Sequence, residues 1–545
     1  MPYELESTGL TSALREWAGI IGQSCVIQDP GALRSAGTAT LPTRSSVWAI
    51  LHPGNRDEVQ GCVRVANRHR VPIYPISTGK NWGYGSRVPP QNAVLLDLGR
   101  LNRIVDFDED LGYVTLEPGV TQRQLHEFLR EHKSRLWMDA TGASPDCSII
   151  GNTLERGFGH TPMGDHCANA CGLEVVLPSG ECVETGFGAY PGTKVTALSR
   201  WGVGPSLDGL FSQSNLGIVT RMTVWLMPAP EAFQAFFFSS SLELGAVIDA
   251  IRPLRMDGTL RSVMHLGNDY KVLAGTTQFP WADHQPPLGP SAMEQLRRQL
   301  NIGRWNGSGG LYGTRAQVRD ARSRLRRALS GKVDRLQFVD DRLLRIMSRF
   351  ATPFRLITGW DISRTIKVID PVYNLLKGVP TDRPMASAYW RKKTAAPSDM
   401  DPDRDGCGLL WCSPVVPNRA SDIDEVTGLA TTTLLAHGFE PQMSVSVATE
   451  RVSICVITIS YDRHEPGEDE RASSCYDLLT QQLVARGYPP YRLNVAAMNF
   501  TEVDPAYGAA TGDLKAAWDP NGILAPGRYD HRARIGDKRR TIKLA

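Results

Sequence analysis

Residues Pro75 to Ser86 read PISTGKNWGYGS and emerge from the apolar run that begins at Val71. Gly79, Gly83 and Gly85 are interleaved there with Lys80, Asn81, Trp82 and Tyr84. Glycine has no Cβ, so successive backbone N–H groups can close on an anion, and the chemistry this stretch suggests is capture of a phosphate. The mononucleotide loop is excluded by spacing. Gly79-Lys80 is followed by Asn81 instead of Ser or Thr, and Tyr74 stands where that loop's first glycine belongs. The dinucleotide fingerprint G-x-G-x-x-G is not matched either.

The elements around the loop are legible from their periods. SVWAILHP reads as a strand, NRDEVQGCVRVANRH as an amphipathic helix, and VPIYPIS as the strand entering the loop. AVLLDLGRL and RIVDFDEDLGYVTLEPGV continue the alternation to about residue 120, and GLEVVLPSGECVETG through GIVTRMTVWLMP adds a second β-rich block. After Pro230, FQAFFFSSSLELGAVIDAIRPLR starts a strand-helix unit, and arginine-rich helices such as RAQVRDARSRLRRALSG follow. Asp361 to Asp405 is rich in proline and charge and is expected to be loop or lid. SVSVATERVSICVITISYDR predicts strands, then a helix, then YPPYRLN and the turn-rich DPNGILAPGRY.

A chain of 545 residues exceeds what one core usually holds, so two or more domains are expected. Its 41% apolar and 21% charged content are those of an ordinary globular protein. A net charge of +3 makes no case for nucleic acid, and the basic tail RARIGDKRR reads as a solvated terminus. No apolar run approaches a membrane span, and MPYELESTGL carries acids where a signal peptide needs bases, so the expectation is no membrane and a cytoplasmic location. The ten cysteines include no C-x-x-C pair and read as buried reduced thiols; no metal is expected.

Five blocks in order carry a resemblance from about Val47 to Arg528: PISTGKNWGYG, GNTLERGFGHTPMGDH, SLDGLFSQSNLGIVT, LNIGRWNGSGGLYG and DPNGILAPGR. They resemble the vanillyl-alcohol oxidase and p-cresol methylhydroxylase flavoproteins. The resemblance implies an α+β chain: a PCMH-type FAD-binding domain over 1–230, a substrate-binding cap with a helix-covered antiparallel sheet over 231–496, and a segment returning to the first domain over 497–545. It implies FAD held by Pro75, Ile76, Ser77, Thr78, Gly79, Lys80, Asn81, Gly83, Tyr84 and Gly85 around the pyrophosphate. Ser144, Ile150, Gly151, Asn152, Glu155, Arg156, Gly157, Gly164 and Asp165 would run along the flavin, with Gly217, Ile218, Val219 and Arg528 completing the cradle.

The resemblance also implies a phenolate trap of Tyr84 with Tyr491 and Arg492, two hydroxyl donors and a guanidinium that keeps its proton. The implied activity is FAD-dependent removal of a benzylic hydride from a para-substituted phenol through a quinone methide. Alternatives are a flavin-dependent alcohol oxidase or dehydrogenase on another secondary-metabolite intermediate, and a flavin-binding relative without turnover. The implied partners are a small aromatic substrate, oxygen or a redox protein as electron acceptor, and a homodimer or larger assembly.

Three departures bear on the chemistry. The place that tethers flavin covalently in relatives falls on Leu409 in RDGCGLLWCSPVV, with Cys407 and Cys412 close by, so FAD without a covalent bond is expected. The family's acid near the reacting carbon falls near Gly142 or Ala143, between Asp139 and Asp146; Asp146 is either its substitute or a turn residue. His160 stands where relatives have tyrosine, and it reads either as a base or donor in the site or as a satisfied core histidine; His166 reads as structural.

Overall fold

The computed structural model describes residues 7–346, 349, 362–498 and 503–530; the basic tail 532–540 lies outside them. Strands Val47–Leu51, Ala93–Asp97 and Ile73–Ile76 lie parallel, and Val26–Ile27 adds antiparallel to the first, making a four-stranded sheet. Their near-continuous apolar runs suit strands covered on both faces. The crossover helix Arg56–His69 starts where the Asn55 side chain accepts from Glu58 N at 2.9 Å. It ends at Arg70, which takes the left-handed conformation, and buries Val59, Cys62, Val63 and Ala66. Strand Ile73–Ile76 thus delivers residues 77–86 at its carboxyl end, the usual ligand edge of a parallel sheet. Residues 523–525 pair beside it, with Ile73 N to Ile523 O and Ala525 N to Ile73 O both at 2.8 Å, which brings Arg528 to the same edge.

A five-stranded antiparallel sheet follows, ordered Ile104–Asp108, Tyr113–Leu116, Ile218–Trp225, Ala170–Val176, Cys182–Glu184. Between them, the short helix Ile149–Leu154 is capped by Ser148, whose Oγ accepts from Gly151 N at 2.8 Å. Ser148 N donates to Thr78 Oγ1 at 3.0 Å, so this turn is tied to the glycine loop.

The eight-stranded antiparallel sheet runs Arg335–Val339, Ala232–Ser240, Trp305–Gly313, Met264–Asn268, Gln442–Val447, Val452–Asp462, Cys407–Cys412, with Val415–Pro417 pairing off the path. Its period of two separates two chemistries. Met264, Leu266, Leu410, Cys412, Val445, Val447, Ile457 and Ile459 enter a core beneath helices Leu244–Met256, Arg315–Leu329, Ala420–Ala436 and Glu468–Ala485. His265, Leu409, Trp411, Ser444, Ser446 and Val456 face the opposite way, into a cavity. One stretch differs from the sequence expectation. The described part of Asp361–Asp405 contains the helix Ile362–Leu375 and a 3-10 turn at Arg383–Tyr389. Pro371 and the local charge suggested loop, but Ile369, Tyr373 and Leu376 recur on one face and are buried.

Candidate active site

A cavity of about 500 Å³ lies between the glycine loop and the polar face of the eight-stranded sheet. Pro75 to Asn81 form one wall, and the backbone N–H groups of Thr78 to Asn81 have no protein acceptor among the described residues. A row of amides left open beside a cavity suits an anion. Gly79 adopts φ +69°, and a Cβ on Gly151 would lie 2.4 Å from Ser77 Oγ, so both positions need glycine.

Tyr84, Tyr491 and Arg492 converge at one end. Tyr84 is buried, its hydroxyl 2.8 Å from Ser413 Oγ and its ring edge-on to Trp411 with centroids 5.5 Å apart. The Arg492 guanidinium stacks 4.1 Å from the centre of the Tyr84 ring. Burial drives the Tyr84 pKa well above the ordinary phenol value, the neighbouring Tyr491 adds to the rise, and Arg492 opposes it. Tyr84 therefore keeps its proton. Arg492 Nε is 3.1 Å from Glu155, which also pairs with Arg528, and Arg492 donates to Asn81 Oδ1. Two guanidiniums against one carboxylate leave this corner with one positive charge in excess.

His160 and His265 stack in the cavity with centroids 4.1 Å apart. His160 Nδ1 donates to Ala140 O at 2.9 Å, which leaves Nε2 as the lone-pair nitrogen. His265 Nε2 donates to Gly159 O at 3.1 Å and its Nδ1 accepts from Ser446 Oγ at 3.0 Å. Burial lowers both pKa values, that of His265 to about 3, and each ring is held neutral. His160 lines the cavity, and its Nδ1 is satisfied as a core histidine's would be. Asp146 pairs with Arg123 at 2.8 Å on the surface, a turn residue that does not reach the cavity. Asp139 is buried behind the wall, 2.6 Å from His166 Nε2, and accepts from His160 N and Thr161 N. His166 bridges Asp139 and Asn152 Oδ1, a structural post. Gly142 and Ala143, near which the family's acid is expected, do line the cavity.

Of the other expected cofactor residues, Tyr84, Ile150, Gly151, Asn152, Glu155, Gly157, Gly217, Ile218, Val219 and Arg528 line this cavity. Gly83, Gly85, Ser144, Arg156, Gly164 and Asp165 lie behind it. Gly83 and Gly85 are instead where the chain packs against Trp411 and Val495, at 2.9 and 2.2 Å from a built Cβ. Arg156 Nε donates to Ser212 Oγ, and Asp165 accepts from Ala168 N. Sequence reading missed His265, Lys271, Phe158, Trp411 and Ser446, all in the lining. Alternation in VMHLGN marks His265 as the odd face of a strand, a usable signal; Lys271, three residues beyond the strand, gave none.

Residues 48–186 match the family model described as "FAD binding domain". The chain is 44% identical over 96% of its length, and 98% of the relative's, to "1'-carboxy-chondrochloren decarboxylase" of Chondromyces crocatus. It is 30% identical to "4-cresol dehydrogenase [hydroxylating] flavoprotein subunit" of Pseudomonas putida over 97% of both chains. The chain belongs to the vanillyl-alcohol oxidase and p-cresol methylhydroxylase family. Its fold agrees with a solved 4-ethylphenol oxidase from Gulosibacter chungangensis in complex with isoeugenol: TM-score 0.88, 27% identity, 98% of this chain and 100% of that one covered.

FAD is the cofactor of this family member, and the cradle fits it. The open amides of residues 78–81 would hold a pyrophosphate's charge, and the Gly217–Val219 strand start and Arg528 stand along the same cavity. Leu409, where the family's tether is expected, lines the cavity. Cys412 points the other way, to Thr480 Oγ1 at 3.5 Å, and Cys407 packs with Trp82 and Tyr389. Burial pushes both thiols up to about 12, far from the thiolate a flavin bond would need. The 396–405 segment clasps the glycine loop: Lys80 pairs with Asp401 at 3.2 Å, and Asp403 accepts from Trp82 Nε1 at 3.1 Å and Ser86 Oγ at 2.7 Å. Among the described residues no cluster of three metal-ligating side chains occurs and no helix is long and apolar enough to cross a membrane.

Proposed function

We propose that this FAD-dependent oxidoreductase removes a benzylic hydride from a para-substituted phenol bound as its phenolate. Bound FAD supplies the two-electron hydride acceptor. Tyr84 and Tyr491 donate O–H hydrogen bonds to the substrate oxygen, and Arg492 faces it with a charge that cannot be lost. Because burial holds Tyr84 protonated, the substrate phenol is the group that ionises beside Arg492. Electron density from that oxygen stabilises the electron-poor benzylic carbon as the hydride departs, giving a quinone methide. His160 offers Nε2 as a proton acceptor from the side chain or from water. The observation that carries the reading is the Arg492 guanidinium 4.1 Å over the buried Tyr84 ring. Anaerobic mixing with 4-alkylphenols should bleach the oxidised flavin, and their O-methyl ethers should not; bleaching by the ethers at equal rates would overturn it.

A second reading of the same site is favoured by the 44% identical decarboxylase and by Gly142 and Ala143 standing near where the family's acid is expected. On it, the substrate's para side chain carries a carboxylate on the carbon next to the benzylic one. The phenol proton and the benzylic hydride leave, the hydride to FAD. The C–C bond to the carboxylate then breaks, CO2 departs, and the electron pair forms the C=C of a 4-hydroxystyryl product whose oxygen takes back a proton. Release of one CO2 per flavin reduced supports this reading; flavin reduction without CO2 from such an acid contradicts it.

A further inference from the structure

We propose that Lys271 is a carboxylate anchor in the substrate cavity, and that this enzyme selects phenols whose para side chain ends in a carboxylate. The proposal rests on the phenol-oxidation reading for its orientation, but the anion site has its own evidence.

Lys271 lies in the first turn of the short helix Asp269–Ala274, which begins where the strand carrying His265 ends. The Asn268 side chain accepts from Lys271 N at 3.0 Å and fixes that turn. The side chain lines the cavity, and among the described residues no carboxylate pairs with it. Among the described residues its ammonium has one hydrogen-bond partner, Ser387 Oγ at 3.5 Å, and that hydroxyl is committed to Pro384 O at 2.9 Å. Asp269, two residues before Lys271, pairs with Arg297 at 2.8 Å, and Glu440 pairs with Arg391 at 2.7 Å. Lys271 is half-buried, as a cavity wall is, and desolvation lowers the pKa of its ammonium to about 8. An enclosed cation without a counterion is costly, and an anionic ligand relieves that cost.

The position suits a substrate held at both ends. From the trap, Tyr491 meets Phe158 with centroids 6.0 Å apart, and Phe158 stacks on His265 at 6.1 Å. His265 stacks on His160, which lies 3.5 Å from where a Gly142 Cβ would be; Pro384 is 3.6 Å from that same point. Pro384 leads through Ser387 to Lys271. The contacts thus run along the cavity wall from Tyr491 to the lysine. Two of the three ammonium N–H bonds remain for the ligand, and the apolar Met385, Val372 and Leu375 line the same cavity. One cation in an apolar surround matches a carboxylate's single charge better than a phosphate's.

The test compares 3-(4-hydroxyphenyl)propanoate with its neutral amide on FAD-loaded wild type, K271M and K271R, by calorimetric binding to the oxidised enzyme and by anaerobic flavin reduction. Wild type is expected to bind the acid about 10- to 100-fold more tightly than the amide, the worth of a charge-assisted bond. K271M should bring that ratio to about one, and K271R should keep most of it. Wild type alone bears on the claim should K271M not fold. No preference for the acid in wild type, or a preference that survives K271M, overturns the anchor. So does equal weakening of both ligands in K271M, which would make Lys271 a support of the flavin or of the fold. If the acid binds through Lys271 but no phenol reduces the flavin, the anchor stands and the phenol-oxidation reading falls.

Discussion

At the scale of single residues the site divides labour between groups that must hold a proton and groups that must not. Tyr84 is a donor because burial keeps it neutral, and Arg492 supplies the charge. Arg492→Met should lower the rate of flavin reduction by about 100- to 1,000-fold, as removal of one oriented electrostatic donor does elsewhere. An unchanged rate, read by stopped-flow absorbance, would remove Arg492 from the mechanism. The histidine pair gives a pH prediction. His265 titrates near 3 in the folded chain and near its ordinary value of 6.5 when unfolded. Between those values the unfolded chain binds the extra proton, so the neutral ring's contribution is present above about 6.5 and lost as pH falls toward 3. Urea midpoints measured at pH 7 and pH 5 should fall less in His265→Gln than in wild type; parallel losses would contradict the assignment. Tyr84, Tyr491, Arg492 and His160 were legible in sequence through their motifs, and the structure brings all four to one cavity. Lys271 was not legible, because a lysine in a helix normally reads as solvated and only the fold shows that its neighbours are already paired.

At the scale of elements, the strand period decides which residues of a motif reach the cavity. In Cys407–Cys412, alternation sends Leu409 and Trp411 to the cavity and Leu410 and Cys412 to the core. Leucine at that position has no nucleophile, so FAD held without a covalent bond is the expectation. Acid precipitation of the purified yellow protein should release FAD to the supernatant. Flavin retained in the pellet would contradict this and direct peptide mapping to Cys407, Cys412 and His160. Most strands and the long helices followed from period and caps in the sequence. The helix Ile362–Leu375 did not, since its Pro371 imitates a loop and its buried face is set by packing against Ala235 and Val339. The glycines divided similarly. Gly79 lines the cavity as its spacing suggested, whereas Gly83 and Gly85 are glycine because Trp411 and Val495 press on them, contacts made by residues more than three hundred positions away.

At the scale of the molecule, the reacting region is walled by two structures that neither sequence block implies alone. The parallel sheet presents open amides at its ligand edge, and the antiparallel sheet presents a polar face, with residues 523–528 joined to the first. Motif order revealed this architecture because five blocks fell in the family's sequence, but which residues face each other across the cavity needed coordinates. That juxtaposition sets Tyr84 from the loop against Tyr491 and Arg492, and it underlies the claim that hydride leaves a benzylic carbon para to an ionised oxygen. The direct test is the anaerobic rate of flavin reduction by the best 4-alkylphenol of a panel, compared with the same compound deuterated at the benzylic carbon. The deuterated compound is expected to reduce the flavin several-fold more slowly. Equal rates for the two isotopologues, with chemistry shown to limit the reduction, would contradict that claim.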